Sequence, residues 1–291
     1  MKYSAMTPNF TPFTLSLRDR DYVLDSPKVM GIVNVTPDSF YSKSRTFDVD
    51  SLENRVSAMV EEGVDIIDLG AYSTRSGADE VSPDEELVRL KRGIEVVKRL
   101  APEVPVSIDT FRASVAKACV DDMGADIIND VSGGTLDDGM AATVAQLGVP
   151  YVLMHMRGTP ATMQQFTDYA GGVVTDVVTD LKEKMDHFRK LGCKQVILDP
   201  GFGFSKTLRQ NYELMNGLAA FHELSAPLLV GISRKSMIYR LLDTTPDESL
   251  EGTTVLNTVA MLAGAHILRV HDVRAAVEAR TILMELHKTT E

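Results

Sequence analysis

Two hydrophobic periods alternate along this chain. Short aliphatic or β-branched runs of strand length occupy residues 28–35, 65–70, 105–110, 125–130, 149–155, 195–199, 227–233 and 266–271. Between them lie stretches whose apolar positions repeat at helical spacing: 51–63, 83–100, 112–123, 137–147, 172–191, 207–222, 235–242, 248–263 and 272–288. Pro83 and the acidic Asp84, Glu85 and Glu86 mark the start of one helix, where its dipole favours negative charge. Ahead of this rhythm, residues 10–25 alternate loosely around Arg18-Asp19-Arg20-Asp21, the pattern of a β-hairpin.

Eight buried strands alternating with at least eight helices predict an α/β fold, a (β/α)8 TIM barrel with an N-terminal β-hairpin. The pattern uses the whole chain, so residues 1–291 read as a single domain. A doubly wound open sheet is the competing architecture. It usually needs fewer strands, and its nucleotide-binding form carries a glycine fingerprint after the first strand, where this chain has Asn34-Val-Thr-Pro-Asp38.

Composition narrows the partners. The 291 residues are 44% hydrophobic and 24% charged, with a formal net charge of −11. That balance argues against a nucleic-acid surface, which needs clustered lysines and arginines, so an anionic ligand would require a local basic pocket. Cys119 and Cys193 lack CxxC spacing and metal-ligand neighbours, and read as reduced packing residues. No signal-peptide pattern opens the chain and no apolar run approaches the ~20 residues of a membrane span, which together read as a soluble cytoplasmic protein.

In a parallel barrel the active-site face collects side chains from the carboxyl ends of the strands. Here those ends are Asn34; Asp68, followed by Ser73-Thr74-Arg75; Asp109; Asn129; Met154 and His155; Asp199; Ser233-Arg234-Lys235; and Arg269 with His271. Asp109, Asn129 and Asp199 suit the donor and acceptor edge of a flat heterocycle. Arg75, Arg269, His271 and Asn34 suit phosphate or diphosphate, with Asn34 and His271 also possible metal or water contacts. Asp68 and Asp130 read more plainly as ion-pair partners or caps, and His155 as a hydrogen-bonded support. Phe202 and Phe204, flanking Gly203 in a loop, read as pocket walls. The loop lacks phosphate-loop spacing, since Lys206-Thr207 follow Gly203-Phe204-Ser205, and no HExxH or GxSxG sequence occurs.

Eight segments in order resemble one family: Asn34-Val-Thr-Pro-Asp-Ser-Phe40, Ser73-Thr-Arg75, Ser107-Ile-Asp-Thr110, Ile127-Ile-Asn-Asp130, Met154-His-Met156, Leu198-Asp-Pro-Gly-Phe-Gly-Phe204, Ser233-Arg-Lys-Ser236 and Arg269-Val-His271. Together they look like the dihydropteroate synthases of folate biosynthesis. The resemblance implies a transferase that joins 6-hydroxymethyl-7,8-dihydropterin diphosphate to p-aminobenzoate and releases diphosphate with Mg²⁺ present. It also implies a sulfonamide target and a homodimer formed through the last helices.

Carried onto this sequence, the resemblance assigns Asp109, Asn129, Met154, Asp199, Lys235 and Arg269 to the pterin. It assigns Asn34, Thr74, Arg75, Arg269 and His271 to diphosphate, with Asn34 also on the metal, and Phe40, Phe204, Lys235 and Ser236 to p-aminobenzoate. Arg75, Asp109, Lys235, Arg269 and His271 are then the expected catalytic group. The chain departs from the family pattern in two loops: Phe40 is followed by Tyr41-Ser42-Lys43-Ser44 where the family commonly has Ser-Asp-Gly-Gly, and Ala71-Tyr72 and Ser76 replace a Gly-Glu pair and a proline. A methyltetrahydrofolate-binding methyltransferase on the same barrel is the alternative, and would not need Arg75, Lys235 and a diphosphate cluster.

Overall fold

The computed structural model describes residues 10–35, 45–72 and 81–288. A two-stranded antiparallel hairpin, β1 (Phe13–Ser16) and β2 (Asp21–Leu24), precedes eight parallel strands. These are β3 (Lys28–Asn34), β4 (Ile66–Gly70), β5 (Val106–Asp109), β6 (Ile127–Asp130), β7 (Tyr151–Met154), β8 (Val196–Asp199), β9 (Leu229–Val230) and β10 (Ile267–Val270). Their spatial order is β8-β7-β6-β5-β4-β3-β10-β9. Leu198 and Leu228 form a parallel bridge that joins β8 to the start of β9, so the sheet curls into a barrel.

The helices between strands are α1 (Arg45–Glu61), α2 (Pro83–Leu100), α3 (Ala113–Asp121), α4 (Met140–Leu147), α5 (Val173–Lys190), α6 (Leu208–Asn216), α7 (Ser236–Tyr239), α8 (Leu250–Leu262) and α9 (Val273–Lys288). Ser82 caps α2 by accepting from the Glu85 N–H at 3.2 Å, and Thr207 with Gln210 forms a reciprocal capping box on α6. None of the described helices is long and apolar enough to cross a membrane.

Two elements differ from the expectation. The helix predicted over 207–222 breaks after Asn216: Gly217 lies against Val174, with no room for a side chain, and the chain tightens into a 3-10 segment, Leu218–Leu224, that ends at the left-handed Ser225 (φ 49°). The strand predicted over 227–233 keeps only Leu229–Val230 in the ladder. Beyond it the chain turns away through Arg234, another left-handed residue (φ 54°).

Strand alternation builds the barrel interior in layers. Met30, Ile66, Ile127, Val152, Ile197, Leu229 and Ile267 form one apolar layer, each buried with the hairpin residues Leu15, Leu17 and Leu24. The hairpin therefore closes the amino end of the barrel. Gln195 pins it there, accepting from the Ser16 N–H at 2.6 Å and donating to the Ser16 carbonyl at 2.9 Å. Two residues further along each strand, the same inward face carries Ile32, Asp68, Asn129, Met154, Asp199, Gly231 and Arg269. The residues between, such as Ile67, Ile128, Leu153, Leu198 and Leu268, face the helices.

Leu24→Ala should remove about 2–5 kcal/mol of stability, because Leu24 is fully buried in the apolar layer under the barrel. Urea denaturation reads the loss. Ligand affinity of the remaining folded protein should stay near the parent value, since the substitution is at the opposite end from the polar layer.

Candidate active site

The inward polar layer is knitted around Arg269. Its Nε donates to Asp68 Oδ2 at 2.7 Å and a terminal nitrogen donates to Asp109 Oδ2 at 2.7 Å. Asn129 Nδ2 donates to the same Asp68 oxygen at 3.0 Å. Register brings these groups together: Asp68 lies opposite Ser107, and Asp109 lies opposite both Gly70 and Asn129. A side chain at position 70 would sit 3.5 Å from Asp109 Cβ and 3.7 Å from Asn34 Oδ1, so glycine there keeps the space between those two residues open.

Asp199 ends β8 opposite Met154 and turns inward, one carboxylate oxygen accepting from the Gly201 N–H at 2.8 Å. Lys235, just before α7, reaches across to donate to the Phe202 carbonyl at 2.5 Å, its ammonium 4.8 Å from the centre of the Phe204 ring. Phe204 packs with Val131, Met154, Met156 and Met163 in an apolar cluster beside these polar groups. Ser236 follows Lys235 at the start of α7. An apolar wall and a row of acceptors thus lie side by side at the carboxyl end of the barrel.

His271 follows β10, and its backbone N–H and Nδ1 both lie 3.1 Å from Ser233 Oγ. Arg55 donates to its carbonyl. Burial, and then the nearby Arg269, push the His271 imidazole down to about 4, so it meets an anion as a neutral donor near pH 7. Asn34 stands exposed at the end of β3. Phe40, Thr74 and Arg75 lie outside the described residues.

Burial is also the main influence on the acids. It raises Asp109 to about 7, against the pull of Arg269 and with the help of Asp68, Asp130 and Glu86. Burial raises Asp199 too, opposed by Lys235 and the Gly201 N–H. It lowers Lys235 to about 8, with Arg269 acting in the same direction and Asp199 opposing. A ligand that donates N–H bonds to the acids, or places an acceptor near Lys235, would favour the charged forms.

Several structural roles differ from, or add to, the strand-end reading. Phe202 is fully buried in the layer between strands and helices rather than walling the pocket, because the left-handed turn at Gly201 (φ 70°) swings it away from the opening. Asp130 caps the loop after β6, accepting from Ser132 and Gly134 N–H groups and from the Tyr151 hydroxyl. A second network lies outside the strand-end groups: buried Glu86 accepts from Thr110 Oγ1 at 2.7 Å and from Arg112, while Arg112 also donates to the Val81 carbonyl and lies over the Tyr72 ring. The clue in the sequence was Arg112 three residues beyond Asp109.

Fold and rim define a barrel enzyme of the pterin-binding class. The sequence profile described as "Pterin binding enzyme" matches residues 30–271. The dihydropteroate synthase of Escherichia coli strain K12 is 42% identical over 264 residues, covering 89% of this chain and 92% of that protein. Among solved structures, Xanthomonas albilineans dihydropteroate synthase with 4-aminobenzoic acid has a TM-score of 0.86 at 38% identity, covering 95% of this chain and 98% of that one. The Yersinia pestis dihydropteroate synthase in a sulfonamide drug complex also gives 0.86, at 36% identity, with 95% and 100% covered. This chain belongs to the dihydropteroate synthase family.

The raised Asp109 carboxyl has a measurable consequence. If pterin binds the charged form, affinity should be flat above about pH 7 and fall roughly tenfold per unit below it, with proton release on binding. Calorimetry in two buffers of different ionisation enthalpy reads both effects. Affinity independent of pH from 5 to 8 would exclude the coupling.

Proposed function

We propose that the protein condenses 6-hydroxymethyl-7,8-dihydropterin diphosphate with p-aminobenzoate, forming 7,8-dihydropteroate and diphosphate. The observation that carries this reading is the inward layer in which Asp109, Asn129 and Asp199 share one opening with Lys235, Arg269 and the Phe204 wall. Asp109, Asn129 and Asp199 would read the pterin edge. Met154 would line its slot and Arg269 would lie on its face, with Lys235 between pterin and p-aminobenzoate. Phe204 and Ser236, with Phe40 from the first loop, would shape the p-aminobenzoate side.

The reaction needs a leaving group more than a nucleophilic side chain. As the methylene–oxygen bond breaks, negative charge grows on the diphosphate and positive charge on the pterin. Arg269, His271, Thr74 and Arg75 are proposed for the first and the Asp109 carboxylate for the second. The p-aminobenzoate nitrogen then forms the new C–N bond and loses a proton.

Among the described residues no cluster of three or more His, Cys, Asp or Glu could cage a metal. A lone amide oxygen on Asn34 fits a Mg²⁺ that arrives on the diphosphate, because this ion keeps water ligands and uses few protein oxygens beside phosphate. When bound it supplies charge neutralisation at the departing oxygens. Buried, unpaired Cys119 and Cys193 fit a reducing cytoplasm. Residues 1–291 are read as one functional unit. Sulfonamides would compete for the p-aminobenzoate side.

The deciding experiment is diphosphate release from purified protein given both substrates. Release that requires both supports the synthase, and methyl transfer without diphosphate release would replace it. Asp109→Asn should weaken pterin diphosphate binding by about 1.5–3 kcal/mol, the range for a hydrogen bond to a charged group. Unchanged affinity in calorimetry would remove Asp109 from the pterin site.

A homodimer through the last helices is also proposed. Val255 and Val259 are 60% and 37% exposed one turn apart on α8, and Ile282 is 65% exposed on α9, which packs beside it. Sedimentation velocity should find a dimer that Val255→Glu with Ile282→Glu converts to monomer. A monomeric parent would refute the pairing.

A further inference from the structure

Lys206 is the one lysine on the β8 loop, and at 3% exposure it is buried. Its Nζ meets three groups: it donates to the Gly201 carbonyl at 2.9 Å and the Phe204 carbonyl at 3.0 Å, and it lies 3.0 Å from His155 Nδ1. None of the three partners carries a charge. Burial and the charges of Lys235 and Arg157 disfavour the cation, while Asp199 and Asp180 favour it without touching it. A buried cation with no bonded carboxylate is a costly way to fill space, and a methionine would fill it more cheaply.

What an ammonium supplies is convergence. Two carbonyls and an imidazole nitrogen point at one spot; the Gly201 carbonyl also accepts from the Phe204 N–H at 3.1 Å, and Lys206 is the side chain that ties all three groups together. With Lys206 as the donor, His155 accepts through Nδ1 and carries its ring proton on Nε2, which lies 3.9 Å from Asp180 Oδ2 and has no hydrogen-bond partner. Burial, then Lys206, holds its imidazolium down to about 2, so the ring stays neutral.

The loop clasped this way has left-handed residues at Gly201, Gly203 and Ser205. A side chain at Gly201 would strike the His155 carbonyl. Its successive carbonyls are each held by a side chain: Gly201 and Phe204 by Lys206, Phe202 by Lys235, and Gly203 by Gln164 at 3.3 Å. Ser205 Oγ accepts from the Arg157 N–H and donates to its carbonyl, both at 2.9 Å. Asp199 begins the loop, Phe204 lies near its end, and the Phe202 carbonyl between them holds Lys235.

We propose that Lys206 is a positioning residue for both substrates, its three hydrogen bonds to His155, Gly201 and Phe204 setting the β8 loop so that Asp199, Phe204 and Lys235 face the opening together. The assignment rests on the synthase reading above, and adds a residue that touches neither substrate. Diphosphate release by the parent tests that reading; the comparison of parent with variant, and the ring chemistry of His155, test Lys206.

Lys206→Met keeps the volume and removes the donors. The KM values for p-aminobenzoate and for pterin diphosphate should both rise at least tenfold, with a smaller fall in kcat. Lys206→Arg should fail to rescue them, because a planar guanidinium cannot satisfy three tetrahedral acceptors. A lowered melting temperature with both KM values within twofold of the parent would reduce Lys206 to a stabilising residue and overturn the proposal. The parent protein itself provides a second test that survives a variant's failure to fold. Nitrogen-15 spectra should show His155 neutral from pH 5 to 8, protonated on Nε2 alone; a ring that titrates near its ordinary value, or carries its proton on Nδ1, would overturn the proposal.

Discussion

The guanidinium of Arg269, held between the carboxylates of Asp68 and Asp109, is the interaction around which the barrel's interior is organised. Three charged groups and the Asn129 amide share a space that its neighbours would otherwise fill with aliphatic side chains. Such an arrangement is tolerable only when nearly every donor and acceptor is matched, and removing one partner leaves a buried charge exposed to the others, at a cost of about 3–5 kcal/mol. Asp68 is fully buried and uses one oxygen for both Arg269 and Asn129, its other oxygen having no hydrogen-bond partner. It fixes the arginine so that Asp109 keeps its second oxygen for another donor.

The same alternation that makes the site also isolates it. Most strands place an aliphatic side chain inward at one level, and β4, β6, β8 and β10 place a polar one two residues later, while the residues between pack outward under helices. The hairpin packs against the apolar layer beneath the polar one, and burial is the largest influence on the acidities of Asp109, Asp199, Lys235 and His271.

Two loops are fastened by unlike means. Beyond β8, backbone carbonyls are held one by one by lysines and a glutamine, a framework of directional bonds. Beyond β5, Arg112 binds Glu86, the Val81 carbonyl and the faces of Tyr72 and Phe111, so Tyr72, a departure from the family pattern, has an aromatic and cationic setting of its own. Val81 and Tyr72 flank the segment that carries Thr74 and Arg75. Arg112, the residue three beyond Asp109, thereby ties Val81 and Tyr72 to the end of β5.

The sequence by itself determined the order of strands and helices, the end of the barrel that carries polar groups, and the residues offered there. Those features follow from local chemistry: period-two and period-3.6 hydrophobicity, turn residues after each strand, and one polar side chain at each strand end. Tertiary structure decided which of those groups meet. That Arg269 lies between Asp68 and Asp109, that Phe202 turns into the helix layer while Phe204 walls the opening, and that Lys206 threads its ammonium between His155 and two carbonyls depend on register and on left-handed turns. Partners separated by 201 and 160 residues, as Arg269 is from Asp68 and Asp109, leave no local signature, because barrel closure rather than neighbouring sequence brings them within hydrogen-bond distance.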